Sequence, residues 1–123
     1  NPEIRSTLDA AALCKMAERG QIIGGTLDGP LAFDNAISPE AAQVKNLQSP
    51  VAGHADILVV PDFEAGNMLA KQLQYLAGAR AAGIALGARV PIVLTSRADS
   101  AFERRTSCVV AQLIAHHRRS AIQ

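Results

Sequence analysis

The segment PIVLTSRADSAFE, Pro91 to Glu103, decides the fold. Its apolar run stops before Ser96-Arg97 and a helical pattern begins a few residues later, which predicts a strand, a short polar loop and a helix. Ser100 and Glu103 have the Ser-x-x-Glu spacing of a capping box, in which each side chain satisfies a backbone N–H at the helix start. The segment therefore presents a hydroxyl and a guanidinium together in the loop ahead of the cap.

The rest of the chain repeats this alternation of apolar runs and helical patterns. Strands are predicted near residues 21–27, 56–60, 82–86 and 91–94, and helices near residues 3–18, 66–78 and 101–117. A further short helix is predicted to open with Pro39 at its first turn. The uninterrupted β-branched run DILVVP is typical of strands that are covered on both faces. The sequence thus predicts a single α/β domain with a mainly parallel sheet.

Composition excludes several classes of function. The 123 residues carry 12 Lys and Arg against 11 Asp and Glu, which argues against a nucleic-acid partner. No apolar run reaches the length of a membrane span, so no membrane partner is expected. Cys14 and Cys108 lack the spacing of a metal site and are predicted to be buried thiols in a reducing cytoplasm. The chain begins with Asn1-Pro2 rather than Met, as a piece of a longer protein would.

The last predicted loop is the strongest candidate for a binding site. Ligands of parallel α/β sheets bind beyond the carboxyl ends of the strands. Ser96, Arg97 and Asp99 lie there and are not needed by the helix cap. An Arg beside a helix amino terminus can grip a phosphate or a carboxylate with two parallel hydrogen bonds. Alternatively, Arg97 pairs with Asp99 or Asp62 and only closes the loop; local sequence leaves both interpretations open.

Three other residues are weaker candidates for ligand binding. Asn67 is predicted to cap a helix over residues 67–77, with Gly66 supplying the turn, or else to contact a ligand. Lys71 follows one helical turn later and either faces solvent or points toward the same loops. Asp28 is predicted to form a turn through its own backbone, although it could also meet a ligand amine or hydroxyl.

Three ordered segments extend this interpretation. DGPLAFDNAISPEAA, SPVAGHADILVVPDFEAGNMLAKQL and GARVPIVLTSRADS together resemble the carboxyl-terminal half of the phosphate acetyl/butyryl transferase family, the phosphotransacylases. The last segment is most similar in wording to phosphate butyryltransferase-like members and to bifunctional enoyl-CoA hydratase/phosphate acetyltransferases. The resemblance implies a three-layer α/β/α fold like that of isocitrate and isopropylmalate dehydrogenases. It also implies that residues 1–123 hold most of the second domain and the closing helix, without the first domain.

The resemblance also implies a reaction, the exchange of an acyl group between CoA and inorganic phosphate. Its substrates would be acyl-CoA and phosphate, with no bound cofactor and no metal. Ser96 would hydrogen-bond the thioester region and Arg97 would hold phosphate, with Asn67, Lys71 and Asp28 as further substrate-binding candidates. Acetyltransferase members place an Asp six residues after the Arg as a base, whereas this chain has Glu103, so Asp99 and Glu103 are both candidates.

Assembly and the class of function have alternatives of their own. The exposed apolar stripe of the last helix predicts a homodimer or a larger assembly in the cytoplasm. Phosphotransacylase-like domains also occur fused to some malic enzymes, where they resemble sensors of acyl-CoA. A non-catalytic regulatory module, fused to another domain in its parent protein, is therefore the alternative to an acyltransferase.

Overall fold

The computed structural model describes residues 1–120, which divide into two compact units, Asn1–Phe63 and the residues from Glu64 onward. The elements are α1 (Arg5–Glu18), α2 (Phe33–Ile37), α3 (Pro39–Val44), α4 (Phe63–Leu76), β1 (Ile84–Ala85), β2 (Ile92–Val93) and α5 (Ala101–Ser120).

The first helix of the amino-terminal unit, α1, follows the predicted pattern closely. Its alanines favour helix, and Arg5 forms an i,i+4 ion pair with Asp9 at 2.9 Å on the exposed face. The helix ends where Gly20 adopts a φ of +71° and its N–H donates to the Ala17 carbonyl at 2.9 Å. Gly20 is thus the stop that the sequence predicted, because glycine reaches positive φ without strain.

Helices α2 and α3 form the packed part of this unit. Ser38 caps α3 by accepting the Ala41 N–H at 3.2 Å, and Pro39 occupies the first turn as predicted. The following loop returns to α2, where the Gly53 N–H donates to the Asn35 carbonyl at 2.7 Å. A side chain at Gly53 would collide with the Pro39 backbone, so only glycine allows this close approach.

The second unit is built around a short hairpin. Strands β1 and β2 pair antiparallel, with Ile84 opposite Val93 and Ala85 opposite Ile92. One further hydrogen bond, from the Leu94 N–H to the Gly83 carbonyl at 2.9 Å, extends the pairing toward the loop that follows β2.

Helix α5 is joined to this hairpin by a buried serine. The Ser107 side chain is only 1% exposed, and its hydroxyl accepts the Gly83 N–H at 3.0 Å. The same hydroxyl donates to the Glu103 carbonyl one turn earlier at 2.8 Å. Near the other end of α5, the Arg118 guanidinium donates to the Ala88 carbonyl at 2.9 Å. These bonds hold the helix against the strands from which the candidate loop emerges.

The sequence predicted a mainly parallel sheet that includes residues 82–86 and 91–94, whereas the strands within these two runs pair antiparallel. Only residues 86–91 separate β1 from β2, whereas a parallel pair needs a crossover of about a dozen residues or more. Within residues 1–120, the runs 21–27 and 56–60 form no strand. Ile57 and Val59 are 80% and 83% exposed, because a β-branched run becomes a strand only where a neighbouring strand pairs with it.

Smaller corrections concern helix α4 and the cysteines. The predicted start of α4 near residue 66 is three residues late, because Asp62 stands before Phe63 at a position where Asp favours helix initiation. Cys108 is exposed rather than buried as predicted, because it follows Ser107 directly and so lies about 100° around the helix from that buried contact. Cys14 is half-buried, and burial raises the pKa of its thiol.

Replacing either partner of the buried Ser107 contact should destabilise the protein. Ser107→Ala leaves the Gly83 N–H without its acceptor, a loss of about 1–3 kcal/mol in the free energy of unfolding. Gly83→Ala places a Cβ inside contact distance of the Leu94 carbonyl oxygen, and we expect a loss of about 1–3 kcal/mol. Chemical denaturation measures both changes.

Gly25→Ala is the matched control, because a Cβ at Gly25 meets no atom within 4 Å. An equal loss of stability in all three variants would contradict the special role of the Ser107 contact.

Candidate functional site

The candidate site is the turn from Ser96 to Asp99 between β2 and α5. The Asp99 N–H donates to the Ser96 carbonyl at 3.2 Å, and the Asp99 carboxylate accepts the Ser96 N–H at 2.6 Å. The Ser96 hydroxyl accepts the Ala98 N–H at 3.4 Å. Three bonds therefore close a four-residue turn on itself and restrict where the Ser96 hydroxyl can lie.

The capping box at the start of α5 is confirmed. The Ser100 N–H donates to Glu103 Oε2 at 2.7 Å, and the Glu103 N–H donates to Ser100 Oγ at 3.3 Å. Two of the orphan donors at the helix start are thereby satisfied.

Glu103 is also tied to helix α4. Its Oε1 accepts the Gln74 side-chain amide at 2.6 Å, and the Gln74 carbonyl oxygen accepts from Lys71 Nζ at 3.1 Å. Two predicted site residues, Lys71 and Glu103, are thus brought together through Gln74, which the sequence did not single out.

These bonds alter the acidity of Glu103. The pKa of its carboxyl is lowered from 4.5, chiefly by the backbone N–H of Ser100 and next by the Gln74 amide. A lowered pKa keeps Glu103 ionised at neutral pH, and its two oxygens each already accept a hydrogen bond. Its contacts are those of a structural carboxylate.

The Arg97 guanidinium is placed differently from its neighbours. It lies on the surface, and within residues 1–120 no hydrogen bond or ion pair engages it. The Asp99 carboxylate accepts from the Ser96 backbone instead, so the interpretation in which Arg97 pairs with Asp99 to close the loop does not describe this structure. The loop is closed without Arg97, which leaves five N–H donors free to meet an anion.

The backbone of the same turn is held by a second arginine. Arg104 donates through Nε to the Asp99 carbonyl and through Nη2 to the Arg97 carbonyl, both at 3.2 Å. Sequence reasoning missed this residue. The available signal was its position in the first turn of α5, where a cation is unfavourable beside the positive end of the helix dipole and so indicates a specific contact.

Two other predicted site residues, Asn67 and Asp28, lie elsewhere in the chain. Asn67 lies inside α4, one turn after its start at Phe63, so the predicted capping role is wrong. Asp28 belongs to the amino-terminal unit, where its carboxylate accepts the N–H of Gly29 at 2.8 Å as a turn residue.

Among residues 1–120, no three His, Cys, Asp or Glu side chains are grouped so that they could hold a metal ion. In the same residues, no helix combines the length and the apolar character that a bilayer crossing requires.

The Ser96-Arg97 turn lies within a sequence that matches a known family over most of its length. The profile of the family described as phosphate acetyl/butaryl transferase matches residues 1–111. The chain belongs to this family. The predicted resemblance is therefore confirmed.

Individual relatives agree with this assignment. The chain is 71% identical over 119 residues to a phosphate acetyltransferase of Rhizobium meliloti, covering 97% of this chain and 38% of that protein. It is 49% identical over 115 residues to a phosphate butyryltransferase of Clostridium beijerinckii, covering 94% and 38%. Identity is thus higher to this acetyltransferase than to this butyryltransferase; the wording of the last segment had pointed both to butyryltransferase-like members and to bifunctional enoyl-CoA hydratase/phosphate acetyltransferases.

A solved structure supports the α/β fold. A branched-chain phosphotransacylase from Enterococcus faecalis V583 is 38% identical and superposes with a TM-score of 0.80, over 91% of this chain and 41% of that one. The chain spans about a third of the length of the curated relatives it matches.

The lowered pKa of Glu103 predicts a pH-dependent contribution to stability. A group whose pKa falls on folding stabilises the protein above its ordinary pKa, and that contribution is lost as pH falls through the lowered value. Glu103→Gln should therefore lower Tm at pH 7, and its difference from wild type should shrink as pH falls below 4.5.

Glu3→Gln is the control for this measurement, because it removes the same charge from a side chain that accepts no hydrogen bond within residues 1–120. Thermal unfolding followed from pH 7 to pH 3 checks the prediction. A Glu103→Gln difference that stays constant over this range would contradict it.

Proposed function

We propose that this chain is the carboxyl-terminal part of an acyltransferase that converts acyl-CoA and phosphate into acyl phosphate and CoA. The observation that carries the proposal is the Ser96-Arg97 turn, with its free guanidinium at the amino terminus of α5, in a member of the phosphate acetyl/butaryl transferase family. The family names of the relatives supply the reaction, and the geometry of the turn supports the roles proposed below for individual residues.

Arg97 is proposed to bind phosphate. A planar guanidinium matches two phosphate oxygens with two parallel charge-assisted hydrogen bonds, which an ammonium cannot do. The helix dipole adds positive potential, since α5 is 20 residues long and begins four residues after Arg97. Because other groups close the turn, Arg97 can bind phosphate without first breaking an ion pair within the protein.

Ser96 is proposed to stabilise the acyl oxygen. Its hydroxyl accepts the Ala98 N–H, which leaves its own proton available for donation. When phosphate attacks the thioester carbonyl, or CoA thiolate attacks the acyl phosphate, negative charge develops on the carbonyl oxygen. A donor already fixed by the closed turn stabilises that charge without reorganising.

The proton of the CoA thiol is proposed to pass to Asp99 rather than to Glu103. Both Glu103 oxygens accept hydrogen bonds and its pKa is lowered, which makes it a weak proton acceptor. Asp99 uses only Oδ2, toward the Ser96 N–H, and within residues 1–120 its Oδ1 accepts no hydrogen bond. In the direction that forms acyl-CoA, sulfur bonds to the acyl carbon, phosphate leaves and the thiol proton moves to Asp99.

Other parts of the enzyme are proposed to complete the cleft and the sheet. The relatives are about three times as long as the matched segment, and the exposed run around Ile57 and Val59 supports a three-layer, dehydrogenase-like sheet completed by further strands. Phe102, Val109 and Leu113 are exposed on α5 and support assembly into a homodimer or larger. We propose a cytoplasmic location, where acyl-CoA is available. Lys71, Asn67 and Asp28 would contact substrate only in that complete enzyme.

A chimera tests the proposal directly. The 119-residue matched segment of the Rhizobium meliloti phosphate acetyltransferase is replaced by that of this chain, and CoA release from acetyl-CoA with phosphate is followed. We expect turnover within about tenfold of the parent enzyme. Binding of acetyl-CoA without turnover would instead support the regulatory module as the function.

Arg97 and Ser96 should affect different kinetic constants in this chimera. Arg97→Lys loses the bidentate fork and Arg97→Gln also loses the charge, so both should lower kcat and raise KM for phosphate more than KM for acetyl-CoA. Ser96→Ala should lower kcat by about a hundredfold or more with smaller effects on either KM. Steady-state kinetics with each substrate varied in turn measures both patterns.

Thermal melting of the same variants is the control. Because neither side chain belongs to the helix cap, Tm should stay near that of the unmodified chimera. A fall in Tm with unchanged phosphate kinetics in Arg97→Gln would show that Arg97 only supports the fold.

Asp99→Asn separates the two candidate bases. The amide oxygen can still accept the Ser96 N–H, while the proton acceptor is lost, so kcat for acyl-CoA formation should fall by about a hundredfold or more at unchanged Tm. Glu103→Gln should mainly lower Tm. Larger kinetic loss in Glu103→Gln than in Asp99→Asn would assign the base to Glu103.

A further inference from the structure

Arg104 binds two backbone carbonyls of the candidate turn. Its Nε donates to the carbonyl of Asp99 and its Nη2 to the carbonyl of Arg97, each at 3.2 Å. The two donors belong to one planar guanidinium, so together they fix the relative orientation of two peptide groups that are two residues apart.

Arg104 occupies an electrostatically unfavourable position, which its two hydrogen bonds offset. It lies in the first turn of α5, where the positive end of the helix dipole repels a cation. Arg105 occupies the next position of the same helix and makes no hydrogen bond or ion pair within residues 1–120. The two neighbours thus differ in their contacts and not in their charge.

Arg104 also determines which groups of the turn face a ligand. The carbonyl oxygens of Arg97 and Asp99 carry partial negative charge and would repel an anion. Their bonds to Arg104 turn both oxygens toward α5, while the Asp99 carboxylate holds the Ser96 N–H on the inner side of the turn. Three side-chain groups of the turn keep hydrogen-bonding capacity: the exposed Arg97 guanidinium, the proton of the Ser96 hydroxyl and Oδ1 of Asp99.

We infer that Arg104 is a positioning residue for phosphate binding: by holding the carbonyls of Arg97 and Asp99, it orients the Ser96-Arg97 pair before substrate arrives. This inference rests on the proposed function. Its physical basis is preorganisation, because a turn that is already fixed loses no conformational entropy when the anion binds. Arg104 restricts the backbone at Arg97. Without that contact, the Arg97 guanidinium would sample a wider range of orientations.

Three variants of the full-length chimera test the inference. Arg104→Gln removes the paired donors, and Arg104→Lys keeps the charge but provides a single donor atom. Arg105→Gln removes the same charge from the adjacent position and is the matched control.

We expect Arg104→Gln to raise KM for phosphate by about three- to tenfold, as the loss of exposed hydrogen bonds implies, with a smaller change in KM for acetyl-CoA. Arg104→Lys should recover part of this loss, and Arg105→Gln should match the unmodified chimera.

Amide hydrogen exchange supplies a readout that does not depend on activity. The N–H groups of Ser96 and Asp99 form the internal bonds of the turn, and both should exchange faster in Arg104→Gln than in Arg105→Gln. Amides in the middle of α5 should exchange at the same rate in both variants.

The outcomes separate the inference from the proposed function. If the unmodified chimera shows no turnover, the acyltransferase proposal fails. Equal amide hydrogen exchange at Ser96 and Asp99 in Arg104→Gln and Arg105→Gln would overturn the positioning role of Arg104 as well. If the chimera is active but Arg104→Gln and Arg105→Gln have the same KM for phosphate, the inference is overturned while the function stands. A fall in Tm alone, without the shift in KM, likewise overturns it.

Discussion

The hydrogen bond between the Ser107 hydroxyl and the Gly83 backbone is the contact on which the carboxyl-terminal unit depends. Gly83 in turn accepts the N–H of Leu94, the residue that ends the hairpin just before the candidate turn. A buried hydroxyl with both a donor and an acceptor role has one low-energy position, and leaving either partner unpaired is costly. Helix α5, the hairpin and the start of the turn are therefore held in one arrangement through a single side chain.

The polar residues of the turn divide into those that hold the backbone and those that remain for a ligand. Asp99, Ser100 and Glu103 use their side chains to satisfy backbone N–H groups, and Arg104 satisfies two carbonyls. The Arg97 guanidinium takes no part in this internal network. If Arg97 binds phosphate as proposed, a loop that is closed by its other residues provides the preorganisation that anion recognition requires.

Few large apolar side chains are buried in the described residues, where the core consists mainly of Ala36, Ala42, Ala52 and Ala111. Hydrophobic burial is proportional to apolar area, so small side chains supply little of it. Specific hydrogen bonds and glycine contacts consequently decide much of the local geometry. The exposed run at residues 57–60 shows the same limit, because its strand pattern has no pairing strand among residues 1–120.

The sequence by itself determined the features that depend on near neighbours: helices α1, α3 and α5, the Gly20 stop, the capping box of Ser100 and Glu103, and the motif of the family, while the short helix α2 was not predicted. Each is encoded by residues within about one or two turns of one another. The tertiary structure alone decided the contacts of Ser107 and Gln74. Gly83 is 24 residues from Ser107, and Gln74 is 29 from Glu103. No local periodicity specifies which distant donor meets which acceptor, because that choice is made by the packing of whole elements.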